Sequence, residues 1–103
     1  IGTHERDTMI RLRWYVGLSA GGRPVTHAEQ ASCLDAIGGI YGGCTVYKAC
    51  GVWKGIREDS LVYEVVTEEV GCAPETLAEG LQKLARQSSV LWTRESVEGG
   101  FTA

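Results

Sequence analysis

The side chains that could do chemistry together fall on two short runs of this sequence. Residues 9–18 alternate: Ile10, Leu12, Trp14, Val16 and Leu18 share one face, and Arg11, Arg13 and Tyr15 share the other. In residues 60–66, Glu64 lies flanked by Val62 and Val66, opposite Leu61, Tyr63 and Val65. Two guanidinium groups, a phenol and a carboxylate on one sheet face fit three roles. They can be a cross-strand charge set on a solvated face, an interface between two copies, or a ligand site. Residue types alone leave all three open.

Acid–base or nucleophilic catalysis finds little support. His27 sits in the first turn of a helix and His4 near the start of the chain, so neither makes a Ser-His-Asp or Cys-His arrangement. Glu58, Asp59, Glu68 and Glu69 read as solvated loop charge rather than a metal site. No P-loop or G-x-G-x-x-G occurs, and the glycine pairs read as helix stops and turns. Cys33, Cys44, Cys50 and Cys72 make no C-x-x-C pair and no zinc spacing, and read as free, partly buried thiols of a reducing compartment. No cofactor is implied.

The elements that must hold these residues follow from local pattern. The strand over 9–18 leads through a glycine-rich loop, 19–23, to a helix. Thr26 is its N-cap and Glu29 completes a capping box. Ala28, Ala31, Leu34 and Ile37 form its apolar side, and Gly38-Gly39 ends it. A β-hairpin follows, from the glycine-bracketed run 42–55 into 60–66, with Gly55, Arg57, Glu58 and Asp59 in the turn. Gly51 is a candidate bulge, which leaves open whether Tyr47 or Val46 joins the arginine face. Pro74 opens a second helix with Leu77, Leu81, Leu84 and Ala85 as its apolar stripe. A last strand covers about 89–94. Trp14 and Trp92 read as core or interface aromatics, and Trp53 is open between packing and contact. The order β-α-β-β-α-β predicts an α+β, ferredoxin-like fold: an antiparallel sheet with both helices on one face, its other face open and suited to an oligomer.

Size and composition bound the rest. A chain of 103 residues, 44% hydrophobic and 22% charged, is one domain with one modest core. Residues 1–8 read as a tag or flexible leader, 9–94 as the α+β domain and 95–103 as an irregular tail. A net charge of −3 argues against a general nucleic-acid binder, and no run reaches the ~18 apolar residues of a membrane span.

Five local patterns fall in succession along the chain. They are Tyr15-Val16-Gly17-Leu18, Gly42-Gly43-Cys44-Thr45-Val46, Gly51-Val52-Trp53, Glu58-Asp59-Ser60-Leu61-Val62-Tyr63-Glu64-Val65 and Arg86-Gln87-Ser88-Ser89-Val90-Leu91. Over residues 10–94 this resembles a group of small phage-type proteins that includes the Thoeris anti-defence sponges. The resemblance implies a protein that binds without turnover, is not an enzyme, and sequesters a cyclic ADP-ribose isomer or cyclic oligonucleotide in the cytoplasm of an infected bacterium. It implies paired arginines on a pyrophosphate, drawn from Arg11, Arg13, Arg57, Arg86 and Arg94, with Gln87 beside them. It implies an aromatic face for adenine from Tyr15, Tyr47 or Trp53, and a homo-oligomer, dimer or larger, with the pocket between subunits. The competing readings are a dimeric protein acting only through protein partners, a single-stranded nucleic-acid binder using the open sheet, and a cofactor-poor enzyme.

Overall fold

A computed structural model of the protein describes residues 7–68 and 71–102. His4, Glu69 and residues 1–6 of the expected leader lie outside the described residues. The element order is β1 (Asp7–Gly17), β2 (Ser19–Ala20), β3 (Arg23–Pro24), α1 (His27–Tyr41), β4 (Thr45–Trp53), β5 (Ile56–Thr67), α2 (Pro74–Leu84) and β6 (Leu91–Gly99). Four strands form one antiparallel sheet in the order β4-β5-β1-β6, and both helices pack on one side of it. This is the ferredoxin-like arrangement. The two-residue strands β2 and β3 form a separate ribbon.

The alternation of β1 is what sorts the faces. Leu12, Trp14 and Val16 point to the helices and are buried, with Tyr63 and Val65 of β5 opposite and beside them. Cys33 and Ile37 of α1 and Leu77, Ala78 and Leu81 of α2 close the core over them. Full burial of each large side chain contributes roughly 1.5–3 kcal/mol. Two polar atoms tie the layers together: Trp14 Nε1 donates to Pro74 O at 3.0 Å, and Tyr63 OH donates to Gln30 O at 3.3 Å. Each gives a buried aromatic the partner its polar end requires.

The helix starts follow their sequence signals. Thr26 Oγ1 accepts from Glu29 N, and Glu29 Oε1 accepts from Thr26 N, which is the complete capping box. Pro74 stands at the first turn of α2. The end of α1 differs from expectation. Gly38-Gly39 lie inside the helix, which runs to Tyr41 and stops at Gly42, whose φ of 77° supplies the left-handed cap. The buried side of α1 coincides with the expected one only at Ile37. Cys33 and Ile37 are buried, whereas Ala28, Ala31 and Leu34 are exposed.

The strands are longer than the sequence patterns suggest. β6 runs to Gly99, and its far end pairs with Asp7 and Thr8, so residues 95–99 are strand rather than irregular tail. The hairpin turn is Lys54-Gly55, both with positive φ (52° and 77°), as a two-residue hairpin loop needs. Arg57, Glu58 and Asp59 therefore belong to β5, not to the turn. The β4–β5 register is unbroken from Thr45–Glu64 to Trp53–Ile56, so Gly51 makes no bulge. Parity then places Tyr47 on the arginine face and Val46 on the helix side. The hairpin overhangs the sheet: β1 pairs with β5 only from Ser60 onward, leaving Val52, Trp53 and Ile56 exposed at its tip.

Candidate functional site

The open sheet face is built in rows by the pairing of the strands. One row is Tyr47, Val62, Tyr15 and Leu91, from β4, β5, β1 and β6. Val62 is completely buried between its two tyrosine neighbours, although it lies on the face away from the helices. The tyrosines thus flank an apolar floor. The next row is Thr45, Glu64, Arg13 and Thr93, and the row beyond sets Val66, Arg11 and Glu95 side by side.

The charges of these rows are paired with one another. Arg13 Nε donates to Glu64 Oε1 at 2.6 Å, and Tyr47 OH donates to the same oxygen at 3.3 Å. Arg11 Nη1 donates to Glu95 Oε1 at 3.0 Å, and Arg13 Nη1 lies 3.4 Å from it. Arg11 Nε, buried and without a hydrogen bond, lies 3.9 Å from Glu64 Oε1. Two arginines meet two glutamates, so the network is close to neutral. Arg13 holds its proton more tightly than an ordinary guanidinium, chiefly through the bond to Glu64. Desolvation, then the Glu64 charge, pushes the Tyr47 phenol up.

On the other side of the tyrosine row lies a second feature, at the end of β1. Glu58 Oε1 and Gln87 Oε1 both stand 2.6 Å from where a side chain on Gly17 would begin. A glycine leaves both oxygens room there, since any larger residue would make them move. Both are acceptors, one of them on a carboxylate, so the place suits a cationic hydrogen-bond donor such as an ammonium group. Gln87 is held by its amide nitrogen, which donates to Gly17 O, Ser19 O and Ala85 O at 3.1, 3.3 and 3.0 Å.

The candidate residues therefore separate. Arg11, Arg13, Tyr15 and Tyr47 share the open face, and Gln87 reaches its edge. Arg86 is committed elsewhere: it bonds both oxygens of Glu29, at 2.7 and 3.0 Å, and the carbonyl of Pro24 at 3.1 Å. The Arg86 bonds, and after them the bond from the Thr26 backbone, hold the Glu29 carboxyl at about 2. They form one wall of a cleft beside the first turn of α1, lined also by Leu18, Val25 and His27. Arg57 lies on the hairpin overhang, 3.6 Å from Asp59, and Trp53 is at its exposed tip. Arg94 stands opposite Leu12 and so belongs to the helix side of an edge strand. Sequence reasoning missed Glu95 and Glu58. The signal for Glu95 lies only in the long-range pairing of β6 with β1, whereas the lone glycine ending the β1 pattern does mark a close approach.

Among the described residues no group of three metal-ligating side chains occurs, and no helix is long and apolar enough to cross a membrane.

No family model matches the chain, and no curated protein matches it. Solved structures that share its fold include two of a phage SAM lyase. A phage SAM lyase in complex with S-methyl-5'-thioadenosine aligns over 92% of this chain and 90% of its own, with a TM-score of 0.65 and 22% identity. A phage SAM lyase in the apo state aligns over 93% and 90%, with a TM-score of 0.61 and 18% identity. At these identities the likeness shows the fold. It also corrects the expectation of a non-catalytic sponge that is not an enzyme: both matches are of an enzyme, and the ligand of the first is a nucleoside without phosphate. The physical reason lies in the arginines. Arg11 and Arg13 are matched by Glu64 and Glu95, and Arg86 by Glu29, so these three arginines are already paired with carboxylates rather than held ready for a diphosphate.

Proposed function

We propose that this protein is a lyase that cleaves SAM on the open face of its sheet, acting as a phage protein inside the host cell and withholding the methyl donor from it. The observation that carries the reading is the fold match to the phage SAM lyase bound to S-methyl-5'-thioadenosine, over nine-tenths of both chains. The site's chemistry supports it. Adenine lies against the tyrosine row, and the ammonium group of the amino-acid end meets Glu58 and Gln87 over Gly17. An acidic chain of net charge −3 favours a cationic substrate over a diphosphate.

S-methyl-5'-thioadenosine keeps the sulfur, its methyl group and the adenosine. The bond that breaks therefore joins sulfur to the γ-carbon of the amino-acid chain, and its electron pair stays on sulfur. As it breaks, the four-carbon fragment either closes through attack of its own carboxylate oxygen on the γ-carbon or gives a β-proton to a carboxylate of the site, and neither path takes up water. The sulfonium charge disappears as the bond breaks. An aromatic, water-poor surface around sulfur favours that change, whereas a carboxylate serves better at the ammonium end, where charge persists.

The open face and the apolar hairpin tip also fit a homo-oligomer, in which Val52, Trp53 and Ile56 of one copy close over the face of another. The test is incubation of the purified protein with SAM followed by mass spectrometry. S-methyl-5'-thioadenosine and a four-carbon product should accumulate over many turnovers. SAM recovered intact would sink the lyase reading.

A further inference from the structure

At the end of α2 the chain does something a helix end seldom does with an arginine. Gln87 N donates to Gln82 O at 2.9 Å and Arg86 N to Lys83 O at 3.4 Å, the two bonds of a Schellman cap. The residue in the left-handed position of that cap is Arg86, with φ 55°. Glycine is the default there because a side chain strains this conformation. The strain is retained beside an unusual set of contacts. The Arg86 guanidinium bonds Glu29 in the first turn of α1 through two of its nitrogens, and its other contacts are the carbonyls of Pro24 and Ala20, at 3.1 and 3.5 Å. It therefore fixes the ribbon of β2 and β3 and the start of α1 against the end of α2.

The next residue is Gln87. Its amide nitrogen reaches Gly17 O and Ser19 O, on either side of the bend where β1 gives way to that ribbon. Its oxygen, like Glu58 Oε1, stands 2.6 Å from where a side chain on Gly17 would begin. The bend can hold Gln87 in this attitude only while the ribbon stays where Arg86 puts it.

We infer that Arg86 is a positioning residue for the site: through Glu29, Ala20 and Pro24 it holds the bend that aims the Gln87 amide oxygen beside Glu58. This rests on the lyase reading for its link to turnover. The test is Arg86→Gly. Glycine takes the left-handed cap without strain, so the helix end is kept and only the guanidinium contacts are lost. The expected result is a cooperatively folded protein whose kcat/KM for SAM falls at least about tenfold, mainly through KM. A merely structural arginine would not produce that split. A folded Arg86→Gly with kcat/KM within about twofold of wild type overturns the inference. Should that variant fail to fold, Glu29→Gln carries the test, with a rise of at least about threefold in KM expected and an unchanged KM overturning it.

If the wild-type protein leaves SAM intact, the lyase reading fails by itself. The positioning claim is then read from the side-chain NH2 signals of Gln87 by NMR. Loss of their protection from exchange in Arg86→Gly supports it, and unchanged protection overturns it.

Discussion

Arg13 on β1 and Glu64 on β5 stand directly opposite each other, and Arg13 Nε donates to Glu64 Oε1 at 2.6 Å. The same oxygen accepts from Tyr47 OH across the hairpin. One carboxylate thus joins three strands of the open face. With Glu95 on Arg11, it sets a carboxylate against each arginine of the face, which separates this face from one holding free guanidinium groups for a diphosphate.

The Tyr47 phenol reports on that carboxylate. Desolvation raises it first, and the Glu64 charge raises it further. Glu64→Gln keeps an acceptor and removes the charge, so Tyr47 should ionise at lower pH than in the wild-type protein. Ultraviolet titration, with Tyr47→Phe subtracted to isolate this phenol, gives the midpoint. A midpoint that does not move would show that Glu64 exerts no field at Tyr47.

Gly17→Ala tests the meeting of Glu58 and Gln87. The new methyl would fall 2.6 Å from both side-chain oxygens, so both must move. They are the far ends of flexible side chains, so the fold should survive and cooperative melting should persist. Turnover should not: kcat/KM for SAM is expected to drop at least about tenfold. Glu58→Gln, which leaves the space alone and removes only the charge, should lower kcat/KM in the same direction. Wild-type kcat/KM in the alanine variant would dismiss this place as part of the site.

What is legible in the sequence is whatever one face of one element records. The period of two in β1 names the buried Leu12 and Trp14 and the open-face Arg11, Arg13 and Tyr15, because each residue's side is decided locally. Thr26, Glu29 and Pro74 mark helix starts for the same reason. The Arg57–Asp59 stretch reads as turn because the hairpin overhang buries neither side and leaves no alternation to find. The buried side of α1 is misplaced because alanine and glycine write a weak stripe. The pairing of Arg11 with Glu95 and the clamp of Arg86 on Glu29 join residues 84 and 57 positions apart, and no local pattern carries them.

Trp53→Ser separates the hairpin's two possible uses. Trp53 is 64% exposed and Ile56, its cross-strand partner, 71%. Removing an exposed ring should change the stability of the single chain by no more than about 0.5 kcal/mol. If the tip closes over the face of another copy, the same change should lower the mass measured by light scattering toward that of a monomer and reduce turnover with it. An unaltered mass would take Trp53 out of any contact between copies.

Alkaline pH should unfold this protein through groups the site does not use. Burial pushes the Cys33 thiol from 9.0 to about 11, with a smaller contribution from Glu29, and burial pushes the Tyr63 phenol from 10.0 to about 12. Both groups are neutral when protonated, and the folded state keeps the proton longer than the unfolded chain does. Between pH 9 and 11 the unfolded chain therefore binds fewer protons at Cys33, and between 10 and 12 fewer at Tyr63. Stability is full below these windows and falls as pH rises through them. The thiol alone should remove roughly 2–3 kcal/mol by the top of its window. Urea midpoints taken from about pH 8 to about pH 11 give the slope. Cys33→Ala, compared with its own value near neutral pH, should be the less pH-sensitive protein; an equal slope in the two would mean that the buried thiol does not couple proton release to unfolding.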